Sequence, residues 1–411
     1  MQPSFTIAVA GGGAAGFFAA ITCAESIPDC RVVLLEKSPE LLAKVTISGG
    51  GRCNVTHACF DPARLVTHYP RGSRELLGPF HRWQPRDTVR WFEERGVALK
   101  TEPDGRMFPV TDQSSTITGC LLREAQAAGV EVRTRCGLSS VGVEFRRFHL
   151  GLTNGETLTA DRLLIATGGN QNSGVFQLVE RLRHTINPLR PSLFSFDCED
   201  PRLANLAGIS VPEAVVSVPA INLSQRGPLL ITHWGLSGPA ILKLSAWGAA
   251  RLADLDYRFT LRVQWLPGAN EHRVREEIQQ ARREHPKKAI AAWNPWKIPQ
   301  RLWQALLHGA GVEATVPWNQ FSRTGMDAVV RDLLGMEVAV DGKSMNKDEF
   351  VTCGGVSLDE VDFRTMQSRV CPGLYFAGEI LDIDGVTGGF NFQSAWTTGW
   401  IAGKSMGQEA G

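Results

Sequence analysis

The chain has 411 residues, of which 43% are hydrophobic, and its formal net charge is +1. This length exceeds what one small core accommodates, so we expect two domains or one domain with a large insertion. The balanced charge gives no electrostatic reason to expect nucleic acid or an anionic membrane as a main partner. The N-terminus lacks signal-peptide features and no apolar run could span a bilayer, so we expect a cytoplasmic protein.

The nine cysteines form no C-x-x-C pair, and the histidines form no H-x-x-x-H or H-E-x-x-H pattern. These spacings argue against a disulfide framework, a dithiol redox centre and a metal site.

The first forty residues predict a dinucleotide-binding turn. A short run of strand formers, FTIAVA, is followed by GGGAAG, by helical spacing and by a second strand, CRVVLL. In this context Gly11, Gly13 and Gly16 would supply a tight turn, a close approach to a pyrophosphate and tight helix packing. Glu36 ends the second strand, where a carboxylate accepts hydrogen bonds from a ribose and repels a 2′-phosphate. The motif therefore predicts FAD or NAD rather than NADP.

Two later stretches favour FAD. The segment DRLLIATGGN, residues 161–170, predicts a buried strand whose end passes close to the dinucleotide. Near the C-terminus, a strand and a loop precede Gly388 and Gly389, which open a helix. The N–H groups at the start of that helix would favour the negative charge of a reduced flavin ring. The helix also carries small residues that would allow close packing, at Ala395, Gly399, Ala402 and Gly403.

The stretch VTISGGGRCNVT, residues 45–56, is a candidate flavin contact. Glycines 49–51 would let the main chain lie against a flat ring. Arg52 would place positive charge near the cofactor or substrate, and a thiolate at Cys53 beside it would be reactive. Two alternatives stay open: Cys53 as a buried packing residue, and Arg52 as the partner of a structural carboxylate. Asn54 can donate and accept at a ring edge.

Residues 191–349 differ in character from the rest of the chain. Short apolar or alternating runs separated by turns predict a β-rich insertion, within which helices are broken at Pro286, Pro295 and Pro299. A basic cluster with downstream tryptophans could bind RNA, but interleaved glutamates favour a solvated helix with a buried aromatic face. We expect His233 to be a core residue, with a position facing the flavin beside Trp234 as the alternative.

Six motifs spread over nearly the whole chain carry a family resemblance: GGGAAG, SGGGRCNVT, GRMFPV, THWGLSGPAIL, VTCGGVSLDEVDFRTM and GLYFAGEILDIDGVTGGFNFQSAW. Together they resemble the YhiN/BaiN-like FAD-dependent flavoprotein family of the glutathione reductase and fumarate reductase lineage. The resemblance implies an α/β fold with a Rossmann-like FAD-binding domain, residues 1–190 plus 350–411. The inserted domain, residues 191–349, would be a β-barrel with a small helical subdomain at about 270–335. The resemblance also implies non-covalent FAD, an oxidoreductase activity and Glu379 at the ribityl chain.

The sequence and the resemblance together give a set of site residues. Asp382 and Asp384 would share one side of an extended segment, where one could transfer protons, with loop solvation as the alternative. The candidate catalytic residues are Arg52, Cys53 and Asp384. The predicted FAD contacts are Gly11, Gly13, Ala14, Ala15, Gly16, Glu36, Lys37, Lys44, Ser48, Gly49, Gly50, Gly51, Arg52, Asn54, Ala166, Thr167, Gly168, Gly169, Gly378, Glu379, Asp384, Gly388, Gly389, Phe390 and Asn391.

These features predict an FAD-dependent oxidoreductase that transfers a hydride to or from a small organic substrate held between the flavin and the insertion. NAD(P)H is a candidate transient donor at the same open pocket, because no second G-x-G-x-x-G lies between residues 170 and 350. Two alternatives remain: an FAD-containing protein that acts on RNA, as in flavin-dependent tRNA modification, and a flavin redox sensor. We expect no nucleic acid, membrane or metal partner, and the sequence does not specify the oligomeric state.

Overall fold

The computed structural model describes residues 5–27, 29–170, 174–344 and 351–408. The chain divides into two compact units. The discontinuous unit consists of Met1–Arg190 and Phe350–Gly411, and the inserted unit is Pro191–Glu349.

The discontinuous unit begins with alternating strands and helices, and the inserted unit has strands on both sides of a run of helices. The strands are β1 (Phe5–Ala10), β2 (Cys30–Leu35), β3 (Thr56–His57), β4 (Leu99–Thr101), β5 (Arg106–Pro109), β6 (Glu131–Arg133), β7 (Leu138–Glu144), β8 (Arg147–Leu152), β9 (Thr157–Ala160), β10 (Arg162–Ile165), β11 (Ile186–Ser192), β12 (Ser195–Asp197), β13 (Ser210–Val218), β14 (Leu223–Ile231), β15 (Gly235–Ser237), β16 (Phe259–Gln264), β17 (Met336–Val340), β18 (Gly342–Ser344), β19 (Val351–Val356), β20 (Val361–Asp362), β21 (Gln367–Ser368) and β22 (Leu374–Phe376). The helices are α1 (Ala14–Ser26), α2 (Ala43–Gly51), α3 (Pro62–Leu65), α4 (Ser73–Arg82), α5 (Pro85–Glu93), α6 (Ser114–Ala127), α7 (Val175–Arg181), α8 (Pro239–Asp254), α9 (Glu271–Glu284), α10 (Gln300–Gly309), α11 (Arg323–Gly335) and α12 (Phe390–Gln408).

The discontinuous unit is built on a sheet with strand order β20–β21–β22–β10–β1–β2–β6, parallel from β22 to β6. Strand β1 is buried from Thr6 to Ala10, as expected for a parallel strand covered on both faces. In the register of the sheet, Ala10 lies between Leu35 and Ile165. The turns that follow β1, β2 and β10 therefore lie side by side at one edge, which is where open α/β sheets bind ligands.

Helix α12 packs on α1 through small residues, as predicted. A Cβ at Gly399 would lie 2.6 Å from the carbonyl oxygen of Ala15, and one at Gly403 would lie 2.6 Å from that of Ala19. The two backbones are thus in direct contact. This packing joins the N-terminal and C-terminal parts of the chain in one unit.

The inserted unit contains a sheet with strand order β17–β16–β13–β14–β15–β12–β18, in which every neighbouring pair is antiparallel. Strands β17 and β18 lie at opposite ends of this order, yet only Asp341 separates them in the chain. The sheet must therefore curl until its two edges meet, which makes it a barrel. The predicted fold class, a Rossmann-like domain with an inserted barrel, is confirmed.

The helical part of the insertion lies between β16 and β17. Helix α9 ends at Glu284, before Pro286, and α10 begins after Pro299, because proline removes a helical donor and blocks the preceding turn. Trp303 in α10 is fully buried, whereas the other two downstream tryptophans, Trp293 and Trp296, are partly buried and lie outside the helices. The predicted helix breaks are present, and the predicted buried aromatic face is present at Trp303.

The sequence patterns did not predict helix α8 (Pro239–Asp254). Pro239 occupies the first helical position after Gly238, and a missing N–H is harmless at that position. The helix buries Ile241 and Leu244. Gly238 and Pro239 therefore mark the start of the helix.

Candidate flavin site

The turn after β1 is formed by glycines in close contact with backbone. Gly11 has φ +116°, and a Cβ there would lie 2.3 Å from the carbonyl oxygen of Ala166. A Cβ at Gly16 would lie 1.8 Å from the carbonyl oxygen of Gly11. At Gly13, by contrast, no described atom lies within 4 Å of a Cβ position, and α1 begins at the next residue, Ala14. This open helix N-terminus suits a diphosphate.

Glu36 lies beside this turn. Its Oε2 accepts a hydrogen bond from the Gly12 N–H at 2.7 Å, and its Oε1 accepts from the Ser38 N–H at 2.8 Å. Each carboxylate oxygen keeps a further lone pair that could accept from a ribose hydroxyl. Lys37, which follows, is exposed.

The strand end Ala166–Thr167–Gly168–Gly169 runs past the same edge. The carbonyl oxygen of Gly169 accepts a hydrogen bond from the Thr352 hydroxyl at 2.9 Å, which fixes this segment. The Oγ1 atom of Thr167 is buried and has no hydrogen-bond partner among the described groups. A buried hydroxyl without a partner is costly, so a ligand atom is the expected partner.

Glu379 presents a second oxygen of this kind. Its Oε2 accepts from the Lys44 ammonium at 2.6 Å, whereas its Oε1 is buried without a partner in the described structure. A Cβ at Gly168 would lie 3.8 Å from Oε2, and one at Gly378 would lie 2.9 Å from the Ala15 Cβ. The carboxylate is therefore held next to the strand-end turns with one oxygen left to accept, as a polyhydroxyl chain requires.

The glycine loop, residues 49–51, begins where α2 loses helical geometry at Ser48 (ψ 151°). Its three φ angles are +59°, +71° and +83°. A Cβ at Gly49 would lie 2.9 Å from Cε1 of Phe108, but at Gly50 and Gly51 no described atom lies within 4 Å. The loop thus presents bare backbone to open space, an arrangement that a flat ring fits.

Arg52 is paired with a carboxylate, the alternative left open above. Its Nη1 donates to Glu102 at 2.7 Å, and its guanidinium lies 4.0 Å from the centroid of the Phe108 ring. The hydrogen bond that Arg52 donates to Glu102 raises the pKa of the guanidinium above its ordinary value. These contacts favour a structural role for Arg52 over a charge directed at substrate.

Cys53 is fully buried, with φ +61°. Burial raises the pKa of its thiol from 9.0 to about 12, so the group is protonated at neutral pH. A thiol of this kind is not a nucleophile, and we therefore assign Cys53 to packing rather than to catalysis.

Asn54 contacts the start of α12 rather than an open edge. With its amide oriented to satisfy both neighbours, Oδ1 accepts from the Gly389 N–H at 2.9 Å and Nδ2 donates to the Thr56 carbonyl at 3.0 Å. The amide of Asn391 bonds both backbone groups of Gly385, at 2.8 Å and 2.9 Å. Both side chains shape the loop before α12, and their contacts with FAD stay predictions.

Phe390, the first residue of α12, stacks on two histidines that the sequence did not single out. Its ring centroid lies 4.7 Å from that of His57 and 4.2 Å from that of His68. The Tyr69 hydroxyl donates to the Phe390 carbonyl at 2.6 Å, and Gly388 precedes the helix with φ +134°. No local spacing relates these rings, so the sequence offered no signal for them.

Asp384 is completely buried and forms a two-point ion pair with Arg71. Asp382 accepts from Asn187 Nδ2 at 2.8 Å and from the Gly354 N–H at 3.0 Å. Loop solvation therefore does not describe Asp384, which is buried. The ion pair favours a structural role for this carboxylate, and its part in proton transfer stays a prediction.

In the inserted unit, His233 and Trp234 occupy the turn between β14 and β15. The Thr232 N–H donates to the Gly235 carbonyl at 2.8 Å and closes the turn. His233 is exposed, and Trp234 is 39% exposed. The expectation of a core histidine is therefore wrong.

Among the residues that the structure describes, no group of three or more His, Cys, Asp or Glu side chains could hold a metal ion. All nine cysteines are free thiols. No helix in the described ranges is long and apolar enough to cross a bilayer.

The profile described as HI0933-like protein Rossmann domain matches residues 5–405. The chain belongs to this family. A relative from Escherichia coli, named ribosomal RNA dihydrouridine synthase, is 29% identical over 412 residues and covers 98% of both chains. A 3-dehydro-bile acid delta(4,6)-reductase from Clostridium scindens is 26% identical over 410 residues, covering 98% of this chain and 99% of the relative.

The fold is also similar to two solved steroid dehydrogenases. The 3-ketosteroid-delta4-(5alpha)-dehydrogenase of Rhodococcus jostii matches with a TM-score of 0.52 and 14% identity, over 98% of this chain and 97% of that chain. The 3-ketosteroid delta1-dehydrogenase of Sterolibacterium denitrificans gives 0.51 and 12%, over 98% and 99%. At these identities the likeness shows the fold alone. The YhiN/BaiN-like resemblance and FAD as cofactor are confirmed, and this member of the HI0933-like family is an FAD-dependent oxidoreductase.

Proposed function

We propose that this chain saturates a carbon–carbon double bond conjugated with a carbonyl group, with NADH or NADPH as the reductant. Bound FAD would supply the chemistry by accepting a hydride from the nicotinamide and passing it to the substrate. The second hydrogen reaches the substrate as a proton, so the double bond gains two hydrogens and the nicotinamide is oxidised.

The proposed reaction type rests on one observation. Two relatives that match this chain over almost their full length act on different substrates, yet both names describe the reduction of a carbon–carbon double bond. A dihydrouridine synthase saturates a double bond conjugated with a ring carbonyl, and a delta(4,6)-reductase of a 3-dehydro compound saturates bonds conjugated with a ketone. The feature common to both is the electron-poor alkene, and we transfer only that feature to this chain.

We infer that the residues of the discontinuous unit hold the cofactor in five places. The turn at Gly11 and Gly13 would hold the diphosphate and Glu36 the ribose. Glu379 would accept from the ribityl hydroxyls, and the glycine loop would lie against the ring. The N-terminus of α12 would stabilise negative charge at the ring edge, which favours the reduced form.

A small organic ring compound is our first candidate substrate. The charge pattern of α9 supports it, because the arginines at the start of that helix are paired with acids. Arg273 contacts Glu277 at 3.0 Å, and Arg275 contacts Glu271 and Asp327, each at 2.7 Å. Such pairs weaken the case for a phosphate-binding surface at the start of this helix.

A uridine in RNA is the second candidate. The Escherichia coli and Haemophilus influenzae relatives, at 29% and 28% identity, carry the RNA name. Arg283, Lys287 and Lys288, at and beyond the end of α9, are exposed. A cluster of exposed cations is what an RNA backbone would contact.

Anaerobic titration of the yellow holoprotein tests the proposal. NADH or NADPH should bleach the flavin absorbance, and a conjugated enone should restore it while gaining two hydrogens by mass spectrometry. In a parallel reaction, a ribosomal RNA transcript would be digested and its uridines weighed for the same gain. Flavin that is reduced but reoxidised by neither class of substrate would contradict the proposed reaction.

A further inference from the structure

The glycine loop and the two residues after it have an unusual backbone. Gly49, Gly50, Gly51 and Cys53 all have φ between +59° and +83°. Left-handed backbone is unfavourable for cysteine, and glycines lose more conformational freedom on ordering than other residues. The glycines have no side chain and that of Cys53 is buried. Within this run, Arg52 therefore supplies the one side chain that can anchor the outer edge of the loop.

Arg52 makes contacts in two directions. Toward the loop, its Nε lies 3.4 Å from the carbonyl oxygen of Gly49. Away from the loop, Nη1 donates to Glu102 at 2.7 Å and the guanidinium stacks on Phe108. A planar cation is suited to hold a carboxylate and an aromatic face at once, which lysine does less well.

Phe108 and Glu102 belong to a fixed platform. Strand β5 carries Phe108 and pairs with β3 and β4, and Glu102 directly follows β4. The Val55 N–H donates to the Met107 carbonyl at 2.9 Å, which joins the chain after the loop to the same platform. A Cβ at Gly49 would lie 2.9 Å from Cε1 of the Phe108 ring, so the ring leaves no room for a side chain at this position.

We propose that Arg52 is a positioning residue that holds the glycine loop in its ring-binding conformation by connecting it to Phe108 and Glu102. The proposal rests on the assigned FAD site and not on the proposed alkene reduction. It differs from the sequence-based hypothesis, in which the charge of Arg52 acts directly on cofactor or substrate.

The test compares Arg52→Gln, Arg52→Lys and Glu102→Gln with the wild type. The apoproteins are titrated with FAD to obtain the dissociation constant, and the holoproteins give the visible spectrum and the midpoint potential of the flavin. Arg86→Gln is the matched control, because Arg86 also lies over a phenylalanine ring, that of Phe60, at 5.4 Å, but belongs to another surface.

We expect both Arg52 variants to weaken FAD binding about tenfold or more, since each loses a charge-assisted hydrogen bond or a stacking contact. Glu102→Gln should change the spectrum and affinity in the same direction by less, and the control should match the wild type. The proposal fails if Arg52→Lys and Glu102→Gln both keep an FAD dissociation constant within about twofold of the wild type while Arg52→Gln does not. In that case the positive charge at position 52 acts directly on the cofactor. The proposal also fails if all variants match the wild type. If an Arg52 variant does not fold, Glu102→Gln alone tests the positioning role. These measurements do not depend on the proposed reaction, so they remain valid even if no alkene substrate is reduced.

Discussion

At the turn after β1, a Cβ on Gly11 or Gly16 would lie 2.3 Å or 1.8 Å from a backbone oxygen of the protein itself, whereas at Gly50 and Gly51 no described atom lies within 4 Å. The first pair of glycines lets strands and a helix approach one another. The second pair keeps a left-handed backbone and leaves room beside it. We infer that the same residue type serves folding at one end of the proposed flavin site and ligand binding at the other, and substitutions should separate the two purposes.

Gly16→Ala should have the largest effect. The added methyl group would collide with the Gly11 carbonyl at the centre of the sheet edge, and we expect a loss of about 3 kcal/mol or more in the free energy of unfolding. Thermal melting of the apoprotein measures it. Gly78→Ala, in α4 with no described atom within 4 Å, is the control and should melt like the wild type. If Gly16→Ala is as stable as the wild type, the inference that this glycine is required for folding is wrong.

Glu36→Arg should leave the fold intact but yield colourless protein. The substitution removes the acceptor of the Gly12 and Ser38 N–H groups and places a cation where a ribose is expected. We expect FAD affinity to fall about a hundredfold, as for loss of hydrogen bonds to a charged group. Glu40→Arg, nearby and exposed, is the control. Full retention of FAD by Glu36→Arg would exclude the ribose assignment.

Gly50→Ala tests the inference that the glycine loop serves ligand binding. The positive φ should cost about 1 kcal/mol of stability, because an L residue is strained there, while FAD affinity should fall about tenfold as the methyl group fills the ring space. Gly155→Ala, with φ +87° in the turn between β8 and β9 and open space around it, is matched for strain. It should lose similar stability and no FAD affinity. Equal FAD affinity in both variants would argue against the ring position.

Cys53 should give the smallest effect. Its pKa is raised to about 12, so the stability linked to this thiol is fully present below pH 9 and is lost as the pH rises toward 12. In Cys53→Ala, the fall of the free energy of unfolding above pH 9 should be shallower by at most about 1.4 kcal/mol per pH unit. Urea denaturation at pH 8 to 11 measures this.

Iodoacetamide provides an independent check, because it should alkylate the partly exposed Cys59 in the folded protein and leave Cys53 intact. Modification of Cys53 at the rate of Cys59 would restore the nucleophile hypothesis.

The sequence predicted those parts of the site whose signals are local. The strand, the glycine turn and Glu36 lie within one βαβ unit. The strand, loop and helix near the C-terminus are likewise adjacent in the chain, and each shows its own residue pattern. Pairings between distant residues left no such signal. Arg52 meets Glu102 fifty residues later, and Asp384 meets Arg71 from the other end of the chain. The chemistry of a side chain depends on these partners, and for that reason the sequence alone could not decide between a catalytic and a structural role for Arg52, Cys53 and Asp384.

The close packing of α12 against α1 has a consequence for biosynthesis. A ribosome adding 5–20 residues per second would need about 20 to 80 seconds between emergence of the first glycine turn and synthesis of α12. During that interval the face of α1 that packs on α12 has no permanent cover, whereas the inserted unit is fully synthesised once residue 349 is added, before α12. We expect the nascent N-terminal half to depend on chaperones, and cofactor loading to follow chain release.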